Sequence, residues 1–577
     1  MPMTPPSDPH KAVRDTAASP PPAQQHLTRW MAGAFALGWL VLWFFGLDMR
    51  ALTEPDEARY AEVAREMFVS GNWLTPKLDG FNFFDKPALQ YWATSIFYNL
   101  FGVHAWTARL WVALTAMTTI AVTGWAGKRL FGVATGWMAA IVLGSTLLFF
   151  AGGHINSMDM SVAAFMSIAI CMFLVANFDP QAVSRRVWLN LAGWASLALA
   201  VLSKGLIGLV FPALTLMAFM LWERDWSSLR HMTMGWGLAL LVVIAAPWFI
   251  AISLRHTEFF NYFFIKQEFT RFLVNKYDRY QPWWFFLAIT LAGLFPWVAF
   301  LPFSRAGWRE LGSRKAAERF LLCWVAVILV FFSVSHSKLP LYILPIFPAL
   351  ALLIAHRISA LSSGTLARRL LWISALALAA MLAALTVRPS TRHLSQHTHL
   401  HPALLWLATG LGLLAVVAAL CALMLKRRWP PVAAISLLGA CTLVVWQMLF
   451  AGNAPLAKNL SAEPVAELMR PHLRKDTEVF TVRAYQRGLS FYLQRLITVV
   501  DEQPDDIRPG ISSRPNGVIT DLHTFENRWR MTRSAMAVID PHLLPELESA
   551  QLPMIIVGRA PSGLVIMRPP LPARPSP

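Results

Sequence analysis

The chain has 577 residues, 56% of them hydrophobic and only 14% charged, with a formal net charge of +18. Soluble domains carry about 25% charged residues, and here the apolar residues come in blocks, which excludes one large soluble core in favour of a multi-pass membrane protein. Many Lys and Arg sit in short connections between apolar runs, so membrane orientation accounts for much of the basic excess, and no repeat or nucleic-acid motif competes.

Residues 1–26 are rich in Pro, Ala, Ser and polar groups and are expected to form a disordered cytoplasmic tail. The first apolar run begins near Trp30 without a clear small-residue cleavage site, and so reads as a retained helix. A spanning helix needs about 20 mainly apolar residues. Thirteen candidates follow, near 30–48, 106–126, 133–151, 158–177, 187–203, 205–222, 234–254, 282–303, 318–335, 340–356, 369–388, 402–425 and 430–450. Only the short turn Ser203-Lys204-Gly205 separates the fifth from the sixth. The basic stretches Lys128-Arg129, Arg185-Arg186, Arg305 to Arg319, Arg357 to Arg369 and Lys426-Arg427-Arg428 fall on alternate connections, which places them and the N terminus in the cytoplasm. An odd helix count then puts the C terminus outside, together with loops 49–105 and 255–281 of a transmembrane catalytic domain spanning 27–452. Cys171, Cys323, Cys421 and Cys441 lie inside apolar runs with no CxxC spacing and read as packing residues.

After residue 452 the composition changes. Residues 453–577 show mixed charge and Pro-Gly punctuation. "TEVFTV", "LITVV", "GVIT" and "PMIIVG" predict strands, while "GLSFYLQR" and "HTFENRWRMTRS" predict helices. The fold class is therefore mainly α and multi-pass, with a small C-terminal α/β domain on the external side.

The chemistry concentrates in the external segments. "EPDEARYAEVAREM" places Glu54, Asp56 and Glu57 at the exit of the first apolar run. Asp56 suits the N-cap of a helix over 57–68, but capping explains one carboxylate and not three at a membrane boundary. Asp159, in "GGHINSMDMS", opens the fourth span on the same side, where it can cap or act. Acids from two loops on one face can orient a sugar hydroxyl, serve as a base or hold a divalent cation. Cations follow: Lys86 after Asp85; Lys266, Arg271, Lys276 and Arg279 before the eighth span; His336 and Lys338 with Tyr342 in "SVSHSKLPLYILPIFP". Interfacial Lys and Arg suit a phosphate group, and snorkelling to lipid headgroups is the competing reading. His397, His399 and His401 alternate, so an extended strand would place them on one face to bind a metal, whereas a solvated loop would not.

"EPDEARYAEVAREM", "SGNWLTPKLDG", "DKPALQYW" and "SKLPLYILPIFP" resemble the bacterial aminoarabinose transferases that modify lipid A, members of the protein-O-mannosyltransferase-like GT-C group of integral membrane glycosyltransferases. The resemblance covers roughly the first 350 residues. It implies transfer of 4-amino-4-deoxy-L-arabinose from undecaprenyl phosphate to a lipid A phosphate at the periplasmic face of the inner membrane. By position it makes Asp56 and Asp159 the functional acids and Lys86, Arg271 and Tyr342 the contacts of the carrier phosphate; the expected site also counts Glu57 among the catalytic residues and Lys338 among the phosphate contacts. This chain has Asp85 where Glu is common. A divalent metal ion is the cofactor considered, with its ligands undetermined, and no organic cofactor is expected. The expected partners are the lipid-linked donor, lipid A and the phospholipid membrane, with no nucleic acid and a monomeric chain. The alternatives are a protein O-mannosyltransferase, which needs a base for its hydroxyl acceptor, or another polyprenyl-phosphate-sugar transferase, and a lipid or sugar transporter, which usually places its ionisable residues near the midplane on interrupted helices rather than in external loops as here.

Overall fold

The computed structural model describes residues 22–270, 281–301, 316–386 and 394–569. It divides into two compact units, Met1–Phe45 and Gly46–Pro577. Of the first, the described part is a helix, Pro22–Phe44, apolar from Trp30 onward. The rest of the structure concerns the second unit.

Among the described residues, nine helices are long and apolar enough to cross a membrane, and a pair, Val133–Ser145 and Leu147–His154, bent by 64°, makes a tenth. The remaining expected spans are shorter: Trp30–Phe44, Ile207–Glu223, and the segment expected over 282–303. That last segment breaks into a helix over Phe285–Gly293 and a 3-10 turn over Trp297–Phe300, because Pro296 has no N–H to continue the ladder. Gly205, at φ 95°, ends the Arg186–Lys204 helix in a conformation that a side chain would resist, and Ile207–Glu223 begins two residues later. The segment carrying His397, His399 and His401 is helical, within Leu394–Lys426, so the extended spacing expected of a metal site does not apply.

The segment that follows the first apolar helix is built rather than loose. It holds a helix, Asp56–Ser70, a two-stranded hairpin (β1, Lys77–Leu78; β2, Phe81–Asn82) and a second helix, Leu89–Phe101. Toward the C terminus lie β3 (Glu478–Val482), β4 (Thr498–Val500), β5 (Val518–Ile519), β6 (Ala535–Ile539), β7 (Ile555–Ala560) and β8 (Gly563–Met567). They form one sheet in the order β5-β4-β3-β6-β8-β7. The first four run parallel, Thr481 lying opposite Val499 on one side and Val538 on the other, and β8 and β7 close the edge antiparallel. Strands buried on both faces read as continuous apolar runs, which is why "AMAVI" carries no alternation for a periodicity search to find.

Both faces of the sheet are covered. Phe480, Val482, Ala537 and Ile539 pack with Phe525 and Trp529 of the Leu522–Met531 helix. The opposite face, with Val479, Val499 and Val538, shares a core with Ala61, Val63, Met67, Phe81 and Tyr98 of that early segment. The sheet is thus no appended module: its second hydrophobic layer is the chain's own first loop.

Candidate active site

A cavity of about 710 Å³ opens between that loop, the starts of several spans and the sheet region. Part of its lining is apolar, made by Leu206, Ile207, Val210, Phe331, Phe332 and Leu339. Other lining residues are charged, and the acids among them arrive already partnered.

Asp56 is the first residue of its helix, and the N-cap is Pro55, which makes no side-chain cap. The expected cap is therefore corrected. Glu57 reaches back to Thr53, ahead of the cap, accepting from its amide at 3.2 Å and its hydroxyl at 2.8 Å. Asp56 instead pairs with Arg59 one turn on and remains 44% exposed toward the cavity. Arg59 also reaches Asp506 at 3.3 Å, and Arg487 donates to the other oxygen of Asp506 at 3.1 Å. Burial works against the Arg59 charge, but Tyr60, Asp56 and Asp506 outweigh it and hold the guanidinium well above its ordinary pKa.

Asp159 lies in the first turn of the Met158–Phe178 helix, whose cap is Ser157: the Asp159 amide donates to Ser157 Oγ at 3.1 Å, and that hydroxyl donates back to Asp159 Oδ2 at 3.0 Å. Lys204 closes an ion pair on Asp159 and sits 4.6 Å above the Tyr342 ring. Asp85 accepts from the Tyr262 hydroxyl at 2.7 Å and from Gln267 at 3.0 Å, beside Lys86.

Asp56, Asp159, Lys86 and Tyr342 thus line one cavity. Two expected residues do not. Glu57 is buried in an ion pair with Arg109 at 2.9 Å, and its backbone carbonyl and carboxylate both engage Asn156. Burial pushes its carboxyl up, while Arg109 and Arg50 more than reverse this and hold it at about 2. Lys338 donates to the carbonyls of Ser335 at 2.6 Å and Gln281 at 2.9 Å, outside the cavity lining. Arg271, Lys276 and Arg279 lie outside the described residues. Sequence reasoning missed Arg59, Lys204, Arg487, Asp505 and Asp506. Only Lys204 carried a signal, as a lone cation inside a long apolar run.

Three cavity acids already have protein partners: Arg59 pairs Asp56, Lys204 pairs Asp159, and the neutral donors Tyr262 and Gln267 hold Asp85. Among the described residues, three carboxylates with oxygens within 4.8 Å of one another occur at Glu62, Glu66 and Asp79, buried and outside the cavity lining.

A family model for dolichyl-phosphate-mannose-protein mannosyltransferase matches residues 30–263, and one for the aminoarabinose transferase C-terminal domain matches residues 465–568. The undecaprenyl phosphate-alpha-4-amino-4-deoxy-L-arabinose arabinosyl transferase of Erwinia tasmaniensis is 34% identical over 330 residues, covering 56% of this chain and 58% of the relative. Its counterpart numbered 1 in Proteus mirabilis is 35% identical over 334 residues, covering 57% of this chain and 59% of the relative. The matched stretch thus spans less than two thirds of these relatives. The crystal structure of ArnT from Cupriavidus metallidurans bound to undecaprenyl phosphate superposes with a TM-score of 0.87 at 30% identity, over 94% of this chain and 98% of that one. With its apolar helices and a fold shared along nearly the whole of that solved chain, this is an integral membrane protein, and it belongs to the aminoarabinose transferase family of GT-C membrane glycosyltransferases.

Proposed function

We propose that the chain transfers 4-amino-4-deoxy-L-arabinose from undecaprenyl phosphate to a phosphate of lipid A, as a monomer, at the periplasmic face of the bacterial inner membrane. The observation that carries this reading is one cavity whose lining combines acid–cation pairs with aliphatic and aromatic side chains. Such a mixed lining suits a lipid-linked sugar, with a charged head and an apolar tail.

In the reaction, the bond between the anomeric carbon and the carrier phosphate breaks, and a new bond forms to an acceptor phosphate oxygen. Undecaprenyl phosphate leaves with the bonding pair. Positive character builds at the anomeric carbon, where the Asp56 carboxylate stabilises it or orients the cationic sugar amine. Lys86, with Tyr342 and the expected Arg271, meets the charge growing on the leaving phosphate. Lys204 keeps Asp159 ionised and fixed. A phosphate monoester has a second pKa of about 6 and is already anionic near neutral pH. An acid committed to Arg59 is a poor base, so the geometry favours an anionic acceptor over a protein hydroxyl.

The test is turnover by purified protein in nanodiscs, read by mass spectrometry of lipid A. Asp56→Asn should fold and bind carrier while losing about 10²–10³ in rate, as expected for removing one preorganised charge at the reacting centre. Parental rates in that variant would return the acids to headgroup contacts. In this reading Arg59 and Lys204 supply the positive charge that a divalent ion would bring to Asp56 and Asp159. Transfer should therefore survive chelation by EDTA. Turnover lost on chelation and restored by added metal would assign an ion to the site.

A further inference from the structure

The charged lining of the cavity is not contributed by the membrane-embedded part alone. Arg487, Asp505 and Asp506 reach it from the sheet region, more than four hundred positions after Asp56. Of these, Asp505 is half exposed and pairs with Arg508 at 3.4 Å. Asp506 is different: its side chain is 6% exposed, and both oxygens are committed, to Arg59 at 3.3 Å and to Arg487 at 3.1 Å. Arg59 in turn holds Asp56 and lies across the Tyr60 and Phe83 rings, at 5.1 and 5.7 Å. A continuous row results, Arg487–Asp506–Arg59–Asp56, with the buried carboxylate in the middle and the exposed one facing the cavity.

We infer that Asp506 is a positioning residue for sugar transfer: it fixes Arg59 from behind, so that Asp56 presents its carboxylate to the reacting carbon in one orientation. This rests on the proposed reading of the cavity. Two physical points support it. Arg59 has a flexible stem and two acidic partners, and with Asp506 alongside, its charge is shared between them rather than delivered whole to Asp56. Asp506 itself is held firmly. Its turn leads into a segment where Gly510 lies against the backbone of Asn82, so closely that a Cβ there would fall 2.2 Å from the Asn82 oxygen. The Asn82 amide also donates to Ser513 at 3.0 Å. The sheet region therefore delivers Asp506 at a fixed depth behind the catalytic loop.

Asp506→Asn keeps the shape and removes the charge. Turnover should fall roughly tenfold to a hundredfold, the range for losing one charge-assisted bond, with the donor KM and undecaprenyl phosphate affinity unchanged. A structural role would lower the amount of folded protein rather than kcat alone. Asp501→Asn, which removes the Arg483 ion pair elsewhere on the sheet region, should leave kcat unchanged. In an Arg59→Ala background the Asp506→Asn change should add nothing further, since it acts through Arg59. Parental kcat in Asp506→Asn, or full additivity with Arg59→Ala, overturns the inference. If Asp506→Asn does not fold, Asp506→Glu carries the test: a carboxylate moved by one methylene should cost kcat at unchanged KM, and parental kcat again overturns the inference. Asp56→Asn, run alongside, separates the two claims. An inert Asp56→Asn with a parental Asp506→Asn rejects only the role of Asp506, whereas a fully active Asp56→Asn rejects the reading of the cavity.

Discussion

Glu54, Asp56 and Glu57 sit within four positions and have three different fates. Glu54 is half-buried and accepts from the Gly488 amide at 2.6 Å, and desolvation raises its carboxyl to about 7 despite that bond and the nearby Arg487. Glu57 is locked to Arg109. Only Asp56 faces the cavity. The Glu57–Arg109 pair is almost fully buried on both sides, so Glu57→Gln leaves a guanidinium without its counter-charge, at a cost of roughly 3–5 kcal/mol. A lowered unfolding midpoint, with carrier affinity per folded molecule unchanged, is the expected result. Lys86→Ala should do the reverse. The fold should hold while undecaprenyl phosphate binding, followed by fluorescence titration, weakens about tenfold through loss of one charge-assisted contact.

At the scale of elements, the decisive contact is between the β1–β2 hairpin and the sheet region. Arg514 donates to the Asp79 carbonyl at 2.6 Å, the Tyr485 hydroxyl to the Asp79 carboxylate at 2.8 Å, and the Leu52 amide to the Tyr492 hydroxyl at 2.8 Å. Gly510 makes the closest approach. Gly510→Ala has no room against Asn82 and should loosen this contact, read as faster proteolysis within residues 502–516 and reduced turnover. Gly364→Ala is the control, because a Cβ at that position meets nothing within 4 Å.

At the scale of the whole molecule, the contact between loop and sheet should respond to pH. Burial raises Glu66 to about 7, with Asp79 adding to the effect, and burial raises Asp79 to about 6 against its bonds to Ser490 and Tyr485. Their ordinary values are 4.5 and 3.8. The folded state thus holds these protons more tightly than the unfolded chain. Their contribution to stability is full below the ordinary values and is lost as pH rises through about 6 to 7. The melting temperature should fall between pH 5 and pH 8, and Glu66→Gln should flatten that slope. A steeper fall in the variant would contradict the assignment. The proposed orientation has its own test: alkaline phosphatase fused after residue 460 should be active in the periplasm.

How much was legible follows from what each feature depends on. Segments long and apolar enough to cross a bilayer are a local property, and within the described residues all thirteen expected segments recur as helices or broken helices, with irregularities at Thr146, Gly205 and Pro296. The strands "TEVFTV" and "LITVV" were readable from their apolar runs and turn residues, whereas β6 and β8, buried on both faces, gave no alternation. Asp56, Asp159, Lys86 and Tyr342 were placed together by family motifs and by acids at membrane boundaries. Their partners were not. The sequence by itself determined the membrane-spanning class, the loop that carries the first acid and the presence of a C-terminal α/β region, because hydropathy and motif order are written along the chain. Only the tertiary structure decided that Glu57 turns inward, that Lys204 meets Asp159 and that Asp506 stands behind Arg59. Each of those depends on which charge lies across a fold of 45 to 447 residues, a distance over which local periodicity holds no information.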